Sequence, residues 1–185
     1  MPAACGGIGP QSVPEEPLTA HDIRRVLLEV ASVLPTTGPR HVDIVIGGSL
    51  LAWRGLRDTT ADVESVKRLE NPLRVAVAGV AKRHDLAAGW LNDFAAGFVP
   101  ATLSEEECPV LIERPHLLVL GAPLQQVFVM KLLAARAADF DDLTALWGQC
   151  GFASPKQAAE LWQAAYTHLE RDDFLTDFIR SIAHG

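Results

Sequence analysis

The sequence predicts a chain that is mixed α/β over its first two-thirds and all helix over its last third. Three observations carry that reading. A short β-branched run, His41-Val-Asp-Ile-Val-Ile46, sits between segments whose apolar residues recur at helical spacing. From Ala122-Pro123 onward every apolar pattern is helical. Hydrophobic residues make up 49% and charged residues 21% of 185 positions, the proportions of a folded chain long enough to bury a sizeable core.

In chain order, residues 1–18 are rich in Pro, Gly, Ala and Ser and predict a disordered or loosely docked arm. Thr19 caps a helix, with Asp22 at its third position and Ile23, Val26, Leu27, Val30 and Val33 or Leu34 along one face; Pro35 ends it. His41–Ile46 is a buried strand, broken by Gly47-Gly48-Ser49, and residues 50–55 are a short helix. Residues 59–66 predict a second strand, with Thr60, Asp62 and Glu64 on one face and Ala61, Val63 and Ser65 on the other. Residues 71–86 predict a helix with Leu73, Val77, Val80 and Ala81 inward, and residues 90–98 a further helix. After an acidic connection at 102–107, residues 110–112 and 117–120 are two strands or one bent strand around Arg114-Pro115.

Residues 124–138 read as one continuous helix, which residues 139–150 continue or restart up to Gly151. Ser154 caps the next helix, with Pro155 first, Gln157 third, and Ala158, Leu161, Trp162, Ala165 and Leu169 on its apolar face. A last helix spans 172–182. Trp53, Trp90, Trp147 and Trp162 fall within helical apolar patterns and serve as core anchors. The expected organisation is an arm at 1–18, an α/β core at 19–122 and a helical part at 123–185.

Lys and Arg total 16 against 23 Asp and Glu, a net charge of −7. That balance excludes coating nucleic acid or an anionic membrane through bulk positive charge, and leaves room for a local basic site. Cys5, Cys108 and Cys150 lie far apart, with no CxxC pair and no Cys/His cluster, which argues against a zinc site or a disulfide framework. Free thiols in a reducing cytosol, no secretory pattern at residues 1–11 and no run of 18 apolar residues make a cytoplasmic, non-membrane protein the expectation. The six histidines show no ligand spacing.

The chemistry is concentrated between Ile46 and Glu64. A strand runs into Gly47-Gly48-Ser49 and then a helix. Glycines permit a tight turn and close backbone approach, and a helix start offers N–H groups to a phosphate. Thirteen residues after Ser49, Asp62 and Glu64 stand at i and i+2, on one face of a strand, spaced to share Mg²⁺ or Mn²⁺. Separately, such features are a common turn and a solvated strand edge. Together they are equipment for phosphoryl or nucleotidyl transfer.

In this order the motifs resemble the nucleotidyltransferase fold of DNA polymerase β-like enzymes, and more narrowly its AbiEii/MenT-type toxin branch. Three segments carry the resemblance: Gly47-Gly48-Ser49 through Glu64; Trp90-Leu91-Asn92-Asp93; and the MKLLAARAADFDDL stretch from Met130 to Leu143. The resemblance implies a mixed sheet flanked by helices. Gly47, Gly48, Ser49 and Arg57 would hold nucleoside triphosphate phosphates, and Asp62 and Glu64 the metal. Lys131 would contact the triphosphate and share the catalytic role with Asp62, Glu64 and Asp142, Arg136 would join the nucleotide-binding residues, and Asp139 would match the acidic position between Arg136 and Asp142. The acceptor would be the 3′ end of tRNA, and a cognate antitoxin the protein partner. Where that family usually has a second Asp this chain has Glu64, and the candidate for a third strand carboxylate is Glu113.

Helical periodicity puts Leu124, Val127, Phe128, Lys131, Ala135, Ala138 and Asp142 on one face. A lysine there needs an anion. In a straight helix Asp142 would lie about 16 Å along the axis, out of reach, so the expected anions are a substrate phosphate, Asp62 or Glu64, unless the lysine snorkels to the rim of the core. Arg54, Arg57, Lys67, Arg68 and Arg74 form the densest basic run, either an RNA contact or a solvated face.

Overall fold

The architecture is that of a computed structural model that describes residues 16–134 and 139–184. Its first helix, α1 (Ala20–Val33), starts as its capping signals require: Thr19 Oγ1 accepts the Asp22 N–H, and the Asp22 carboxylate accepts the Thr19 N–H. Residues 1–15 of the expected arm lie outside the described residues. Leu18, the arm's last residue, is buried and belongs to a strand: β1 (Leu18–Thr19) pairs antiparallel with β3 (Thr59–Thr60).

The main sheet is mixed and five-stranded, in the order β5-β4-β2-β7-β6. Its centre, β2 (His41–Ile46), runs parallel to β7 (Leu117–Gly121) and antiparallel to β4 (Val63–Ser65). β4 runs parallel to β5 (Leu91–Asn92), and β6 (Val110–Arg114) forms a hairpin with β7. Helices α1, α2 (Gly47–Trp53) and α3 (Asn71–His84) belong to this half. α4 (Leu124–Ala134), α5 (Phe140–Cys150), α6 (Pro155–Ala165) and α7 (Leu175–His184) form the helical last third, with α4 packed on α5 and α6, and α7 on α5 and α6. Buried apolar side chains from Leu18 to Ile182 make one cluster. Mixed α/β architecture with a helical C-terminal part is therefore correct.

Several local expectations are corrected. The second strand is two: β3 joins the ribbon with β1 while β4 joins the main sheet, and Asp62 lies between them. The Thr60 hydroxyl donates to the Asp62 carbonyl across the break (3.2 Å), and Val63 N–H binds the Trp90 carbonyl (2.6 Å). Residues 90–98 are not a helix. Leu91 and Asn92 pair with Val63 and Glu64, Trp90 is buried by donating its indole N–H to Val77, and only Phe94–Gly97 makes a 3-10 turn. α2 begins at Gly47, not Leu50, because Gly47 takes φ +64° and leads β2 straight into the helix.

α6 ends at Ala165, short of Leu169, and α7 begins at Leu175, later than expected. Ser154 caps α6 through the Gln157 N–H as anticipated. Trp53 and Trp147 are only half-buried. Cys108 and Cys150 are buried free thiols, and burial pushes the Cys150 thiol up to about 12. Among the described residues no helix is long and apolar enough to cross a membrane.

Candidate active site

The strand-to-helix turn positions its neighbours through the absence of side chains. A Cβ on Gly47 would run into Glu64 Oε2, and one on Gly48 would stand 2.7 Å from Thr60 Oγ1 and 3.3 Å from Arg57 Nη1. Backbone therefore lies directly against the second carboxylate, as close ligand approach requires. Ser49 does not join this surface. Its side chain is buried and its hydroxyl donates to the Ile46 carbonyl (2.8 Å), so the hydroxyl is already engaged.

Glu64 is registered with Ile46 on one side and Asn92 on the other. Cross-strand partners present side chains to the same face. Asn92 Nδ2 donates to Asp62 Oδ2 (2.8 Å), so Asp62 and Glu64 both flank Asn92 although Asp62 is outside the strand. Asp62 Oδ1 has no hydrogen-bond partner among the described residues. Two carboxylates around an amide, one with an oxygen to spare, are hard donors suited to a divalent cation such as Mg²⁺.

Lys131 is buried on α4, and its anions are Asp139 and Asp142, at 2.8 and 2.7 Å. The expectation that Asp142 is out of reach fails because Asp142 stands on α5, a separate helix that packs on α4. Asp142 also accepts from Arg57 Nη1 (3.1 Å). Arg57, Asp142, Lys131 and Asp139 thus form a linked set with two positive and two negative charges. Arg136, and the rest of the helix expected at 135–138, lie outside the described residues.

Gly47, Glu64 and Lys131 share the wall of one cavity of about 320 Å³, completed by apolar side chains of α4 and by Phe94 and Phe98. The chain matches no protein-family model, no curated protein and no solved structure. What the site can do rests on its own side chains.

Other candidates fall away from it. Glu113 is exposed on the edge strand β6 and paired with Arg40 (3.1 Å). Through Leu118 its register leads to Val42 at the start of β2, the end opposite Gly47, so it does not supply a third carboxylate. The basic run is largely occupied: Arg57 by Asp142, Lys67 by Glu105 (2.6 Å) and Arg74 by Asp93 (2.6 Å). Sequence reasoning missed the role of Asn92. The available signal was the Trp-Leu-Asn-Asp resemblance, which the mistaken helix at 90–98 kept away from the carboxylates.

Proposed function

We propose that the chain is a Mg²⁺-dependent nucleotidyltransferase that moves a nucleotide from a nucleoside triphosphate to an acceptor hydroxyl. The observation that carries this is the packing of the Gly47 backbone against the Glu64 carboxylate, with Lys131 on the wall of the same cavity. Asp62 and Glu64 would hold the metal, whose charge offsets that developing on the phosphates. The Gly47-Gly48 backbone admits the triphosphate closely, and Lys131 and Arg57 supply positive charge to it. An acceptor oxygen attacks the α-phosphorus in line; the new P–O bond forms as the bond to the bridging oxygen breaks, and pyrophosphate leaves. The acceptor proton passes to a site carboxylate, Asp62 being the one with an oxygen to spare.

The motif resemblance extends the proposal to a toxin acting on the tRNA 3′ end and restrained by a cognate antitoxin. Incubation with labelled nucleoside triphosphates and tRNA in Mg²⁺ or Mn²⁺ is expected to transfer label, and Asp62→Ala to abolish both transfer and growth arrest. No transfer with either metal, together with growth arrest that survives Asp62→Ala, overturns it. Transfer to a protein or small molecule would redirect the acceptor and keep the reaction.

One observation favours a second reading. Lys131 is already neutralised by two carboxylates and Ser49 is turned away, so the fold could serve as a non-catalytic nucleotide- or protein-binding module. Calorimetry separates the two: a module without the metal site shows little Mg²⁺ dependence in nucleoside triphosphate binding.

A further inference from the structure

Phe94 and Phe98 stand 76% and 60% exposed at the rim of the Glu64–Lys131 cavity. Leaving two large aromatic side chains in water forgoes a burial worth roughly 1.5–3 kcal/mol each, yet their backbone is pinned. Phe94 N–H donates to Asn92 Oδ1 (3.2 Å), and the Phe98 carbonyl accepts the Tyr166 hydroxyl (3.1 Å). Between them Ala95 is buried, and the Phe98 N–H closes on the Ala95 carbonyl (2.9 Å). Asn92 is also the residue that holds Asp62, so one side chain fixes both the carboxylate and the start of the aromatic turn. Two rings four residues apart are thereby held out over a cavity whose charged lining, among the described residues, is Glu64 and Lys131, and whose apolar lining includes Val127, Met130 and Leu133.

Resting on the nucleotidyltransfer reading, we infer that Phe94 and Phe98 form the stacking platform for the base of the donor nucleotide. Its two polar side chains serve the phosphate end. The remainder of the cavity is apolar among the described residues, which bring no side-chain amide or hydroxyl to read a base edge. Selection among bases therefore follows stacking area, purines above pyrimidines, with little discrimination between adenine and guanine.

Calorimetry on the full chain in Mg²⁺, with inorganic tripolyphosphate and with the four α,β-methylene nucleoside triphosphates, tests this. Both rings are exposed, so the Phe94→Ala/Phe98→Ala variant keeps the fold. It is expected to lose about tenfold or more in affinity for the purine analogues while binding tripolyphosphate as wild type does; Phe94→Trp is expected to retain purine binding. Unchanged purine affinity in the double alanine variant, with tripolyphosphate bound, overturns the platform and leaves the nucleotidyltransfer reading standing. A single base preferred by a hundredfold over the other purine overturns selection by stacking. Failure of wild type to bind tripolyphosphate or any analogue overturns the underlying reading and the platform with it.

Discussion

Gly47 answers to two constraints at once: a left-handed φ of +64° and a carboxylate oxygen where a Cβ would project. Gly47→Ala is expected to cost about 1–2 kcal/mol from backbone strain alone and to push Glu64 aside, so urea unfolding and Mg²⁺-dependent nucleotide binding should both weaken. Asp43, on β2, sits deep in the core, and neither carboxylate oxygen has a hydrogen-bond partner among the described residues. Burial raises its carboxyl from 3.8 to about 6, with the charge of Asp93 adding to the rise and that of Lys67 opposing it. The Ser65 hydroxyl donates to the Lys67 carbonyl (3.0 Å), so it does not hydrogen-bond to Asp43. Between the unfolded and folded values the folded state holds a proton that the unfolded state has released. Stability therefore falls as pH rises from about 4 to 6, and the penalty is complete above that. Asp43→Asn is expected to be more stable than wild type by about 1–3 kcal/mol at pH 8, a gain that vanishes near pH 4, as read by urea midpoints across that range.

The α4–α5 pair shows how element geometry overrides a local pattern. A lysine among apolar residues at 124–131 requires an anion, and Lys131 has two. The partner could not be read, because Asp142 belongs to a second helix, α5, that packs on α4. Lys131→Met is expected to destabilise by about 3–5 kcal/mol by leaving buried carboxylates unpaired; adding Asp139→Asn should restore part of that loss in thermal or urea unfolding. No recovery would mean that Lys131 acts by packing rather than charge. The same boundary separates what was legible elsewhere. Caps at Thr19 and Ser154 and the strand at His41–Ile46 depend on neighbours in sequence and were readable. The break at Asp62, the strand at Leu91–Asn92 and the Arg57–Asp142 bond depend on pairings up to 85 residues apart, which no local period encodes. That Gly47, Glu64 and Lys131 come together was legible; Asn92 and the aromatic rim needed the sheet register.

For the molecule as a whole, the net charge of −7 leaves RNA contact to whichever cations remain available. Arg57 and Arg74 are tied to buried carboxylates, Asp142 and Asp93, and releasing either would strand a buried charge at a cost of several kcal/mol. Lys67–Glu105 is a solvent-exposed pair worth at most about 1 kcal/mol and can open. Arg54 and Arg68 are exposed and make no ion pair among the described residues. Two or three cations of the Arg54–Arg74 run, not all five, are thus free to meet phosphates. Counterion release then gives a slope of log affinity against log salt between about −1.4 and −2.7, whereas engagement of all five would give about −3.5 to −4.5. Fluorescence anisotropy of labelled tRNA from about 50 to 200 mM KCl, without nucleotide, is expected to show the shallow slope, and Arg54→Ala/Arg68→Ala to remove most of it. The steep slope would mean that Asp142 and Asp93 surrender their arginines on RNA binding, and with them the charge balance around Lys131.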